Sequence, residues 1–137
     1  MRTKFKILSF ILLSFLLISC DPIHFINFSN NTNANVKVKV FIKPEMENYD
    51  LNQASTGDSI VLIIKPIKNE NDSERIEFGM GTWSDDNIDE VVSAIKKIEI
   101  ETEDIKTTYK STKAIKNLFE TNREGFPFKT SIDIEIK

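Results

Sequence analysis

From Val36 to Ile42 the chain alternates without a break: Val36, Val38, Val40 and Ile42 take every second position, with Lys37, Lys39 and Phe41 between them. Successive side chains of an extended chain point to opposite faces, so this period of two gathers the branched aliphatics on one face and leaves the lysines on the other. A helix would scatter the same residues around its circumference. The stretch has to be a strand with one buried face, and such a strand requires neighbours. Pro44, with no N–H to give to a ladder, ends it.

The pattern returns at the other end of the chain, where Ile132, Ile134 and Ile136 alternate with Asp133 and Glu135. Ahead of the first, His24–Phe28 reads as a short strand, and the cluster Ser29-Asn30-Asn31-Thr32-Asn33 predicts a hairpin joining it to the valine strand. "SIVLIIKPI" is apolar at nearly every position, which predicts a central strand, and "RIEFGMG" predicts a fourth strand ended by its glycines. Residues 45–58 read as a polar connection. Ile88, Val91, Val92 and Ile95 fall at helical spacing behind Ser84 or Asp85 as cap, with Lys96 and Lys97 at the end. "KKIEIETEDIKTTYK" alternates again, and Ile115, Leu118 and Phe119 after Ser111 or Thr112 predict a second short helix. Four strands precede any helix, so the expected fold is mainly β: an antiparallel β-sandwich, immunoglobulin-like or related, with two short α-helical insertions. Lys37 and Lys39 are expected to meet Asp133 and Glu135 across neighbouring strands.

The N-terminus has a different character. Arg2, Lys4 and Lys6 precede an apolar run from Ile7 to Ile18, the layout of a secretory signal and too short for a lasting transmembrane helix. The run ends in Leu17-Ile18-Ser19-Cys20, which resembles a bacterial lipobox. That resemblance implies a diacylglyceryl group on the Cys20 sulfur, cleavage before Cys20, and acylation (typically palmitate) of the new amine. The expected organisation is a removed signal over 1–19, a lipid-anchored N-terminus over 20–23, and a single β-sandwich domain over 24–137. Two or more acyl chains hold a protein on a bilayer essentially permanently, so the first expected partner is a membrane, through the lipid on Cys20.

Composition narrows the chemistry. Loss of residues 1–19 leaves 118 of the 137; it also removes three of the 18 basic residues, leaving 15 against 21 acidic and a net charge of −6. Such a surface repels nucleic acid and anionic headgroups. Cys20 is the one cysteine and His24 the one histidine, so with Cys20 lipidated neither a disulfide nor a two-histidine metal site can be built. A calcium loop starting at Asp85 would want Gly at its sixth position and Glu at its twelfth, where Glu90 and Lys96 stand. Acids at a helix start favour the dipole instead. No phosphate loop, nucleophile elbow or metal spacing occurs, so no catalytic residue, metal or cofactor is expected, and the chain does not read as an enzyme.

The lipobox, the stretch "HFINFSNNTNANVKVKV", the strand start "TGDSIVLII" and the helix before the last strand together resemble the small lipoproteins common in Bacteroidetes, a resemblance that covers most of the chain. From it no activity carries over. It implies display on a bacterial cell envelope, with the outer membrane favoured over the inner. Asp58-Ser59-Ile60 is similar to the O-glycosylation sites of exported Bacteroidetes proteins, which makes Ser59 a candidate acceptor. Trp83, Tyr49 and Phe126, in or near loops, are candidate contacts for a glycan or an envelope protein, although Trp83 is also placed to pin the first helix to the sheet.

Overall fold

The computed structural model describes residues 22–46, 48–68 and 72–137, so the expectations placed on residues 1–21, Cys20 among them, lie outside it. In chain order the elements are β1 (Ile23–Asn30), β2 (Val36–Ile42), α1 (Tyr49–Ala54), β3 (Ser59–Ile64), β4 (Glu74–Met80), α2 (Asp85–Ala94), β5 (Ile95–Glu101), β6 (Lys106–Tyr109), α3 (Thr112–Thr121), β7 (Arg123–Glu124) and β8 (Ser131–Ile136). The strands form two sheets of four, ordered β4-β1-β8-β7 and β3-β2-β5-β6. β1 and β8 run parallel, and the other pairings are antiparallel. The mainly β, sandwich-like architecture expected from the alternation is what the chain adopts.

Each sheet turns one apolar row inward. Val36, Val38, Val40 and Ile42 of β2 are buried, as are Ile132, Ile134 and Ile136 of β8, and they join one core with Ile26, Phe28, Ile76, Phe78 and Trp83. Both longer helices follow the expected caps: the Ser84 hydroxyl accepts from Asn87 N–H and the Ser111 hydroxyl from Ala114 N–H, each at 3.1 Å. They bury Ile88, Val91 and Val92, and Ile115 and Phe119, against the core.

The structure corrects the sequence reading in five places. First, β1 and β2 are not a hairpin; they lie in different sheets, and residues 31–35 carry the chain from one to the other. The cause is Asn30, whose buried amide donates to Ala34 O (2.7 Å) and Ile64 O (2.9 Å) and accepts from the Thr32 N–H (2.9 Å). The turn closes around a side chain instead of a ladder. Second, β3 is an edge strand and not a central one, with Val61 and Ile63 of its outer face 48% and 51% exposed. Third, β2 and β8 are in different sheets, so Lys37 and Lys39 face Glu101 and Glu99 of β5, while Asp133 faces Asn27. Fourth, a third helix, α1, occupies the expected polar connection; it is capped by Asn48 and buries only Leu51, too little to leave a periodic trace. Fifth, α2 stops at Ala94, and Ile95 starts β5 opposite Ile42, which takes Lys96 and Lys97 into a strand.

Candidate functional site

The topology brings separate pieces of chain to the end of the sandwich where β1 begins. β1 starts there, β4 runs antiparallel to it and finishes there, and β8 runs parallel to it and starts there, so Ile23 pairs with Met80 and Phe25 with Ser131. Three backbone bonds knit these pieces: Gly81 N–H to Pro22 O (2.8 Å), Phe25 N–H to Thr130 O (3.0 Å) and Trp83 N–H to Lys129 O (2.6 Å). The loop 125–130 therefore lies beside the residue through which the described chain enters.

Beneath this end sits an aromatic cluster. Trp83 packs edge-on against Phe78 (5.0 Å between ring centres) and His24 (4.7 Å), and its indole Nε1–H donates to Phe25 O at 3.0 Å. It is 2% exposed, so the anchoring role holds and the ligand-contact role does not: no partner can reach the ring. Burial holds the His24 imidazole below its ordinary pKa, against the opposing influence of its bond to Gly79 O (3.2 Å). Arg123 completes the arrangement, its guanidinium donating to Trp83 O (3.1 Å) and to Asp85 Oδ1 (2.7 Å), which lowers the Asp85 pKa. Asp85 thus stands in the first turn of α2, where an acid favours the helix dipole, and pairs with an arginine, two structural tasks.

Of the other sequence candidates, Phe126 stands wholly in solvent at 101% and Tyr49 is 77% exposed. Ser59 is buried in the first position of β3, opposite Phe41, which leaves its hydroxyl little room for a sugar in the folded chain. Glu99 is clasped by Lys97 (2.7 Å) and Lys106 (3.0 Å); their hydrogen bonds hold its carboxyl at about 2, far too acidic to lend a proton near neutral pH. Among the described residues no group of three or more His, Cys, Asp or Glu is placed to hold a metal ion.

One surface depression is lined by Phe25, Asn27, Ser73, Glu74, Arg75, Glu77 and Asp133. On the outer face of the first sheet, Arg75 lies over the Phe25 ring (5.5 Å) and pairs with Glu77 (2.7 Å), while Asn27 donates to Asp133 (3.1 Å). The ring and the hydrogen-bonding groups there already serve one another, which removes the bare aromatic face that stacking on a sugar requires. Sequence reasoning missed Ile23 and Met80, which are 52% and 75% exposed at the entry end beside Phe126 and Phe128. No local pattern marks them, because only the register of β1 with β4 brings them together. Compared with family models, curated proteins and solved structures, the chain finds no match in any of the three, and its function rests on its own residues and geometry.

Proposed function

We propose that the protein is a membrane-anchored lipoprotein of the bacterial cell envelope, held by lipid on Cys20, and that its domain is a non-enzymatic binding or structural accessory module. The observation that carries the reading is the N-terminal order: basic residues, an apolar run, then the one cysteine of the chain three positions before β1. Supporting it, Asp85 and Asp89 of α2 and Glu99 of β5 are engaged in ion pairs, a use that favours scaffold over catalysis. Among the described residues no helix is long and apolar enough to cross a membrane. Attachment through lipid supplies a hold that such a helix would otherwise give.

The test is intact-mass measurement of the membrane fraction from cells expressing the full chain and its Cys20→Ala variant. The expected result is a mass for the former that begins at Cys20 and carries acyl chains, and release of the variant from the membrane. An uncut or unmodified chain in the membrane fraction would refute the reading.

A second reading, an inhibitor that neutralises a hydrolase or toxin, has one feature in its favour: the edge of β3, unpaired among the described residues, whose exposed Val61 and Ile63 lie beside Lys37 and Lys39. Such an edge accepts an extended partner segment by strand addition. Crosslinking the anchored protein in cells, with Ile63→Lys as control, separates the two: a single enzyme partner lost with the control favours inhibition.

A further inference from the structure

We propose that the entry end of the domain rests on the lipid surface itself, with Ile23, Met80, Phe126 and Phe128 in the interfacial layer, so that the bilayer fixes the orientation of the domain. This rests on the lipid-anchored reading. Four large apolar side chains are exposed at one end of the molecule: Ile23 at 52%, Met80 at 75%, Phe126 at 101% and Phe128 at 58%. Single exposed apolar residues are ordinary, but four from three separate segments, converging on one end, mark a contact surface.

The occupant follows from where the chain comes in. Ile23 is three residues from Cys20, and an extended chain covers at most about 3.6 Å per residue, so Ile23 lies within roughly 11 Å of the lipidated residue. The polar layer on each side of a bilayer is only about 5–8 Å thick, by the difference between total and hydrocarbon thickness. A tether of that reach is only a few ångströms longer than the layer is thick, so it keeps the entry end of the domain at or just above the headgroups. The residues around Pro22 are therefore the part of the domain nearest the lipid, and Met80 and the 126–128 loop are joined to Pro22 through the bond from Gly81 and the bonds from Trp83 and Phe25. Lys129, exposed directly after Phe128, suits the phosphate level of that layer, with its apolar stem alongside the rings.

The loop is built to present its rings. Gly125 has φ +107°, and a Cβ there would sit 2.6 Å from Phe128 O and 2.9 Å from Thr130 N, so the tight path that turns Phe126 outward needs glycine. The interaction is hydrophobic and interfacial; net charge plays no part, which fits a domain whose overall charge is negative.

The test uses the full-length lipidated protein. Because lipid consumes the Cys20 thiol, Phe126→Cys, Met80→Cys or Asn33→Cys each introduces a single labelling site, the last on the loop at the opposite end. An environment-sensitive fluorophore at each site is measured in phosphatidylcholine vesicles containing spin-labelled phosphatidylcholine, after intact mass has established the acyl groups. Quenching severalfold stronger at 126 and 80 than at 33 is expected, and Phe126→Ser with Phe128→Ser should reduce quenching at 80 towards the value at 33. Equal quenching at all three sites on an acylated chain overturns the lipid contact and leaves the anchor standing. So does unchanged quenching at 80 in the double variant, since the tether alone then sets the distance. A chain without acyl groups overturns both.

Discussion

Gly125 and Gly57 separate two costs usually confounded. Both have positive φ, but a Cβ at Gly125 meets backbone atoms inside 3.0 Å, whereas at Gly57 it meets nothing within 4 Å. Gly57→Ala should therefore lose only the conformational penalty, about 1–2 kcal/mol. Gly125→Ala should lose more, and the order of their urea midpoints checks it. Asn30 is the most exacting polar residue: with alanine in its place, the carbonyl of Ile64 loses this donor at a buried site and that of Ala34 keeps only the Thr32 hydroxyl, a cost on the order of 3 kcal/mol by equilibrium denaturation. His24 makes stability depend on pH in a known direction. Its folded pKa is lowered by burial, so the unfolded chain binds the proton first; stability is complete above 6.5 and falls as pH drops through 6.5 towards the lower folded value. Denaturation midpoints should decline between pH 7.5 and 5.5 in the wild type, and His24→Gln should flatten that decline.

Among the elements, β5 and β3 have opposite vulnerabilities. Glu99 on β5 titrates at about 2 in the folded protein against 4.5 in the unfolded chain, so its contribution is present above pH 4.5 and is lost as pH falls towards 2. Glu99→Gln should level that part of the acid limb, read from midpoints at successive pH values. On β3, Val61 and Ile63 face outward along an unpaired edge, and Val61→Lys with Ile63→Lys should change stability by under about 0.5 kcal/mol while reducing concentration-dependent association in light scattering. β3 also shows where sequence reading stops. Its apolar run fits a strand covered on both faces, and nothing local tells that case from an edge. Strands whose partition is written in their own residues, such as β2 and β8, are legible with their faces; so are the Ser84 and Ser111 caps. Partner choice is not, because it depends on residues far away: Asn30 redirects the first turn, and β5 draws Lys37 and Lys39 away from β8. The entry-end rim was half legible, through Phe126 and the cysteine, while Ile23 and Met80 needed the β1–β4 register.

At the scale of the molecule, the parallel pairing of the first strand with the last makes β8 indispensable. It lies between β1 and β7 and buries Ile132, Ile134 and Ile136, so loss of residues 131–137 would open the core along its length. A chain ending at Thr130 should fail to give a cooperative thermal transition by circular dichroism, although most of its sequence is retained. The pairing has a temporal meaning as well. β1 cannot be enclosed until β8, at the far end of the described residues, is available, and contacts so distant along the chain form slowly. On the exported-lipoprotein reading proposed above, this would keep the sandwich open until β8 has crossed the membrane. The order of strands would then act as a timer, deferring closure of the domain until β8 arrives.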